Sequence, residues 1–216
     1  MTTRQASKVI SSALTAASAP QTKAQPICIR DWAAWLKVQT FDDPELEAIV
    51  ENVAQFCLSF KRGGRPSWLS ILGPSGVGKT HSATRVWTWM RNRSEWGMFV
   101  YLPEPIYWPT LVDELRSGLA YEKLAELADW PVLFLDDIGA ERDSTGFAAE
   151  KLNALLGRRV GKWTILTSNL LLNQLAKIDP RISDRIIREP GNLFVEVETT
   201  SYGLRQRAMA RTPYAE

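Results

Sequence analysis

The segment that decides the fold reads Gly73-Pro74-Ser75-Gly76-Val77-Gly78-Lys79-Thr80. It fits G-x-x-x-x-G-K-[ST] at every fixed position, and it lies between an apolar stretch over 68–72 and a helical pattern. Glycines let a backbone fold around phosphates, Lys79 brings a point charge to the β- and γ-phosphates, and the Thr80 hydroxyl is a hard oxygen ligand for Mg²⁺. The loop therefore predicts binding of a nucleoside triphosphate, ATP in the first instance, with Mg²⁺. His81 is expected to pack in the first helical turn beside this site.

Outward from the loop, continuously apolar stretches alternate with helical patterns. The predicted strands cover 68–72, 98–102, 132–135, 163–167 and 193–197. The predicted helices begin at Pro44, after Lys79 (ending at Gly97), at Thr110, around 152–156 and near 170–178. Apolar strands that alternate with helices are typical of a parallel sheet covered on both faces. The sequence therefore predicts an α/β fold with a five-stranded parallel sheet.

Two adjacent acids, Asp136 and Asp137, end the apolar stretch that begins at Val132. Because ligands of open α/β sheets bind at the carboxyl ends of the strands, we expect both acids beside the phosphate loop. Asp136 is then a magnesium ligand, directly or through water, and Asp137 is placed to orient or deprotonate an attacking water. The alternative is a strand that ends in a solvated acidic turn.

Polar side chains end the next strand as well, in Ile165-Leu-Thr-Ser-Asn169. The Asn169 amide could hydrogen-bond both an attacking water and a phosphate oxygen, or it could cap the following helix. Further along, Arg181, Arg185 and Arg188 share one helical face. A guanidinium stabilises the charge that develops in phosphoryl transfer, although a helix face of arginines is more often a solvated surface.

The bulk composition narrows the class of protein. The chain has 216 residues, 45% hydrophobic composition and a net charge of +2, enough for one core without a strongly basic field. Two cysteines and one histidine exclude a zinc ribbon or a disulfide framework, and no apolar run is long enough to span a bilayer. We expect a cytoplasmic protein, with a transit peptide as the less favoured interpretation of the basic, acid-poor start.

Together these motifs resemble a known family. The residues that carry the likeness are the loop through His81, Leu135-Asp-Asp-Ile-Gly-Ala-Glu141, Leu166-Thr-Ser-Asn-Leu170 and Asp184-Arg185-Ile186. They are similar to the AAA+ ATPases of the DnaC/DnaI/IstB group, which contains replicative helicase loaders and transposition helper ATPases. The likeness covers residues 40–202, and the segment 40–42 resembles the one that lies near the adenine.

The resemblance implies a P-loop AAA+ fold with a reduced or absent C-terminal lid. The ATPase domain is then expected over 39–202, followed by a tail over 203–216, while the composition by itself predicts a flexible basic N-terminal arm over 1–38 with a short helix bearing Trp32 and Trp35. Asn169 would be sensor 1, and Arg185 the arginine finger that acts on ATP held by a neighbouring subunit, with Arg181 a weaker candidate. Such a finger implies a homo-oligomeric ring or spiral. Arg205 is either a remnant of sensor 2 or a surface residue.

Partners follow from the resemblance more than from charge. Single-stranded DNA is an expected ligand, with the segment 103–109 a candidate contact through Tyr107 and Trp108 unless these pack in the core; Arg158, Arg159 and Lys162 form the more basic patch. A replicative helicase is the leading protein partner, and a transposase the alternative. Two other classes stay open: a small P-loop kinase, and a nucleotide switch that does not hydrolyse ATP.

Overall fold

The computed structural model describes residues 43–65, 67–91, 102–188 and 191–211. The predicted arm, the segment 40–42 and nearly all of the predicted strand 98–102 lie outside these residues. The strands are β1 (Trp68–Leu72), β2 (Ile106–Tyr107), β3 (Val132–Ile138), β4 (Trp163–Ser168) and β5 (Leu193–Glu196). The helices are α1 (Pro44–Lys61), α2 (Lys79–Arg91), α3 (Trp108–Glu114), α4 (Ala120–Asp129), α5 (Phe147–Arg158), α6 (Leu172–Ile178), α7 (Pro180–Arg188) and α8 (Tyr202–Arg211).

The five strands form one parallel sheet in the order β2-β3-β4-β1-β5. The predicted five-stranded parallel sheet is confirmed, but its strand beside β3 is β2, which lies within the segment 103–109 that was predicted as a DNA contact and not as a strand. β3 runs three residues past its predicted end at 135, so Asp136 and Asp137 belong to the strand itself. β1 lies between β4 and β5 and is buried along its whole length. The loop that follows β1 therefore emerges from the interior of the sheet.

The pleat of β1 separates two hydrophobic cores. Leu69 and Ile71 pack on one side of the sheet with α1 and α2, whereas Trp68 and Leu72 pack on the other side with α3 to α7. Successive side chains of a strand point to opposite faces, so a continuously apolar strand supplies both cores. Helices on both faces leave the carboxyl ends of the strands as the edge where polar side chains collect.

The helix predicted from Thr110 is interrupted. α3 and α4 are joined by a kink over Leu115–Leu119, within which Gly118 has a non-helical φ of 118°. Glycine adopts a positive φ readily, so the chain can change direction there and begin a separate helix. Trp108, at the start of α3, is fully buried, while Tyr107 is half exposed. Of the two aromatic side chains predicted as DNA contacts, only Tyr107 has the exposure that stacking requires.

The predicted basic patch is wrong in one member: the Arg159 side chain is fully buried and does not reach the surface. Its guanidinium donates hydrogen bonds to two segments. The acceptors are the carbonyls of Leu127, Ala128 and Trp130, in and just after α4, and the Trp163 carbonyl and Thr164 hydroxyl at the start of β4. Burial lowers the pKa of Arg159 to about 10, so it stays charged at neutral pH. Arg159 thus joins α4 to β4 inside the fold. Of the predicted patch only Arg158 is exposed, and Lys162 is half-buried with its Nζ donating to the Ala128 carbonyl and to Asp129.

The segment predicted as a C-terminal tail, 203–216, is helical over the whole of its described part, 203–211. α8 follows β5 after a five-residue connection, 197–201, and its backbone contacts the phosphate loop, where the Tyr202 N–H donates to the Gly76 carbonyl at 2.9 Å. Within the ranges described above, no helix has both the length and the apolar character needed to cross a membrane.

Candidate nucleotide-binding site

The phosphate loop joins β1 to α2, and its glycines have conformations and neighbours that other residues would not tolerate. Gly73, Gly76 and Gly78 have φ values of 146°, 82° and 98°. A Cβ on Gly73 would lie 2.2 Å from the Val197 carbonyl oxygen, and a Cβ on Gly76 would lie 2.7 Å from the Ser201 Cβ. The loop is therefore shaped as a backbone cradle, the geometry that phosphate binding requires. Val77 turns its side chain into the core.

Lys79 lies at the centre of this cradle with only 4% of its surface exposed. Its Nζ donates to the Pro74 carbonyl at 2.8 Å and to Asn169 Oδ1 at 2.9 Å. Burial lowers the pKa of Lys79, while the negative charges of Asp137 and Asp136 oppose that shift. The lysine is thus oriented by groups from its own loop and from the end of β4.

Asp136 faces the first turn of α2. Its Oδ1 accepts hydrogen bonds from the Thr80 hydroxyl at 2.9 Å and from the Thr167 hydroxyl at 2.6 Å. A carboxylate and a threonine hydroxyl in contact are a suitable oxygen pair for Mg²⁺, which takes one or two protein ligands together with substrate phosphates and water. Ser75 and Thr80 are exposed, so this side of the loop is open to solvent.

Asp137 has an unusual backbone conformation, with φ 62° in the left-handed region. Its N–H donates to Thr167 Oγ1 at 2.9 Å, and its carboxylate accepts from Asn169 Nδ2 at 3.1 Å. Left-handed backbone costs an aspartate on the order of 1 kcal/mol, and such strain persists where neighbouring contacts enforce it. Here the contacts with β4 hold the carboxylate next to Asn169.

The structure thus brings five of the predicted site residues into one hydrogen-bonded network: Lys79, Thr80, Asp136, Asp137 and Asn169. His81 departs from its prediction, since it lies on the exposed side of α2. Partial desolvation by its neighbours and the nearby Arg85 charge lower the pKa of His81, although the residue as a whole is exposed. His81 directly follows Thr80, which is also exposed, and both lie on the side of α2 that faces away from the core.

The arginines of α7 lie apart from this network. Arg185 is half-buried; its Nε donates to Asn153 Oδ1 on α5 at 2.9 Å, and a Cβ on Gly157 would lie 3.0 Å from its Nη2. Arg181 is held by the Asp179 carboxylate, with Nη2 to Oδ2 at 2.9 Å. The contacts of Arg185 fix its direction against α5 and not against the phosphate loop of its own chain.

Comparison with known proteins identifies the family to which this fold and site belong. The sequence profile described as "IstB-like ATP binding protein" matches residues 57–210, more than half of the chain. The chain belongs to this family. The replicative helicase loader DnaI of Bacillus subtilis (strain 168) is 30% identical over 135 residues, which are 62% of this chain and 43% of that protein. The chain therefore spans less than half the length of this curated relative.

Solved structures agree with the family. A crystal structure of DnaI superposes with a TM-score of 0.56 at 27% identity, covering 74% of this chain and 87% of that one. A crystal structure of the DnaC helicase loader superposes with a TM-score of 0.55 at 22% identity, covering 70% and 90%. The predicted AAA+ P-loop fold and the likeness to the DnaC/DnaI/IstB group are confirmed.

Thr167 is the residue of this IstB-like site to which the sequence analysis gave no role. It lies within the predicted polar strand end 165–169, yet its single hydroxyl donates to Asp136 and accepts from the Asp137 N–H. Its sequence signal is weak, because β4 carries hydroxyl groups at Thr164 and Ser168 as well, and the regular pairing of β3 with β4 is interrupted beside the two acids. Thr167 thus holds both acids of β3 at the edge of β4.

We expect Thr167→Val to lower the free energy of unfolding by about 1–3 kcal/mol, because an isosteric methyl leaves the Asp137 N–H without its acceptor. Urea unfolding measures this change. The matched control is Thr88→Val on the exposed side of α2, where the hydroxyl donates to the Thr84 carbonyl; that change is expected to stay within about 0.5 kcal/mol. Equal effects of the two substitutions would contradict the role of Thr167.

Proposed function

We propose that this IstB-like protein is an ATPase that assembles into a ring or spiral, binds single-stranded DNA and loads a replicative helicase. The observation that carries the ATPase is the network joining Lys79, Asn169 and Asp137, because it places a cation, an amide and a carboxylate around one cradle. Bound ATP with Mg²⁺ would supply the reacting γ-phosphoryl group and neutralise its charge. The remaining roles fall to side chains of the chain itself.

Lys79 would hold the β- and γ-phosphates, while Thr80 and Asp136 would hold Mg²⁺. Across the parts of the chain that the structure describes, no group of three or more acidic, His or Cys residues could hold a metal by itself. A magnesium ion that arrives with its nucleotide suits such a site, because phosphates and waters complete its shell.

Asp137 would orient the attacking water and accept its proton at the carboxylate. Asn169 would keep that carboxylate in place through its amino group while its carbonyl oxygen holds Lys79. This arrangement favours water as the acceptor over a kinase substrate. Removal of a positioned general base costs about 10²–10⁴-fold in rate.

Arg185 would act on ATP bound by a neighbouring subunit. Its hydrogen bond to Asn153 and its contact with Gly157 fix the guanidinium against α5 of its own chain, so a role at a subunit boundary suits it better than a role at its own loop. An arginine that reaches a phosphate from a partner is worth about 10³-fold or more in rate.

We expect Asp137→Asn and Arg185→Ala each to lose nearly all ATP hydrolysis when purified alone. An equimolar mixture should regain part of it, because about a quarter of randomly assembled interfaces would combine an intact Asp137 with an intact Arg185. Phosphate release, with and without single-stranded DNA, is the measurement.

The control for this mixture is Arg188→Ala on the same helix, where Arg188 pairs with Asp184 at the surface. Its hydrolysis should match that of the wild type. A mixture that co-assembles by sedimentation yet stays inactive would refute the in-trans role, and so would wild-type activity in Arg185→Ala.

Two features support different protein partners. The likeness to a replicative helicase loader favours a helicase, whereas the family itself is described as IstB-like and keeps a transposition helper as the second candidate. We expect the purified full chain with ATP and Mg²⁺ to co-elute in size-exclusion chromatography with the replicative helicase of its own organism. Co-elution with a transposase and not with the helicase would select the second candidate and overturn the first.

A further inference from the structure

The connection after β5 and the first turn of α8, residues 197–205, form a strap across the phosphate loop. The absent Cβ of Gly73 leaves room for the Val197 carbonyl, and that of Gly76 leaves room for Ser201. The Tyr202 N–H donates to the Gly76 carbonyl at 2.9 Å. The strap therefore touches the loop at two of its three glycines, the positions where a backbone is most free to move.

The other side of the strap is pinned to the start of α1. Glu45 Oε2 accepts the N–H groups of Glu198 at 2.6 Å and Thr199 at 2.8 Å. Asp43 Oδ2 accepts the Thr199 hydroxyl at 2.5 Å and Arg205 Nη1 at 3.0 Å. Asp43 and Glu45, at the start of α1, thus bind the strap both in its middle, at residues 198–199, and at its end, at Arg205.

The Asp43–Arg205 pair differs from the surface ion pairs of this protein. Its side chains are 19% and 14% exposed, compared with 46% and 61% for the Asp184–Arg188 pair on α7. Burial alone would raise the pKa of Asp43, but hydrogen bonds from Thr199 and from the backbone of α1, with the Arg205 charge, bring it below its usual value. Asp43 therefore stays ionised, and a sheltered charge pair is screened less by salt than an exposed one.

We propose that the Asp43–Arg205 pair positions the phosphate loop for nucleotide, with the strap as the connecting part. Arg205 is a positioning residue in this account and not a phosphate ligand, because its Nη1 donates to Asp43 at the start of α1 and to Thr199 in the strap. The inference rests on the proposed binding of ATP. The pair keeps the strap seated, and the seated strap restricts Gly73 and Gly76 to the cradle, so nucleotide meets a loop that is already ordered.

The apparent dissociation constant of a ligand rises as the competent fraction of its site falls. We expect Asp43→Asn, which keeps a cap acceptor for α1, and Arg205→Gln each to weaken binding of a fluorescent ATP analogue with Mg²⁺ about tenfold. The double variant should bind no more weakly than either single variant, since both remove the same contact. Arg205→Lys, which keeps the charge, should stay within about threefold of the wild type.

Tyr202→Pro tests the strap without touching the ion pair. Proline is tolerated at the first position of a helix, so the substitution removes the N–H that reaches Gly76 while α8 can still begin there. It should weaken analogue binding by a similar factor. Lys123→Gln, which removes a surface pair with Glu126 on α4, is the matched control and should bind as the wild type does.

Binding and thermal unfolding are measured on the same samples, with binding well below each unfolding midpoint. Lower midpoints with unchanged analogue affinity in Asp43→Asn, Arg205→Gln and Tyr202→Pro would overturn the proposal, because the strap would then be only structural. Loss of affinity in Arg205→Gln without loss in Asp43→Asn would also overturn it, since Arg205 would then act on the phosphates directly. If the wild type itself fails to bind the analogue, the proposed function fails, and this inference fails with it.

Discussion

The Asn169 side chain is the point on which the site depends. Its carbonyl oxygen accepts from Lys79 of the phosphate loop, and its amino group donates to Asp137 of β3. One neutral amide thus joins a buried cation to a carboxylate that occupies a strained backbone position. Because Asn169 directly follows β4, which lies between β1 and β3, the order of strands in the sheet itself brings the three groups together.

That arrangement leaves an excess of negative charge near the loop. Lys79 faces Asp136 and Asp137, so two carboxylates lie near one buried ammonium group. The two carboxylates are only half-buried, so water screens part of this imbalance, and a cation beside them would reduce the remaining repulsion. A divalent ion at Thr80 and Asp136 would do so, and this links the proposed magnesium to the electrostatics of the fold as well as to the chemistry.

Much of this architecture could be predicted from local pattern. The apolar strands, the glycine loop and the polar strand ends predicted the sheet and five members of the network, because each signal is contained in a few consecutive residues. Thr167, the burial of Arg159 and the docking of α8 were missed, since each depends on what lies opposite in space. A basic residue in a basic stretch looks solvated until the carbonyls of α4 and β4 converge on it. Likewise, the final ten described residues carry too weak an apolar pattern to reveal a helix seated on the phosphate loop.

The most direct test of the central claim is calorimetric titration of the purified chain with a non-hydrolysable ATP analogue, with and without Mg²⁺, in the wild type and in Lys79→Ala. We expect one nucleotide per chain, weaker binding without Mg²⁺, and a loss of about 10–100-fold in affinity in Lys79→Ala, the value of a charge-assisted hydrogen bond. An affinity in Lys79→Ala equal to that of the wild type, or an affinity that does not change when Mg²⁺ is left out, would contradict a nucleotide–magnesium site at this loop.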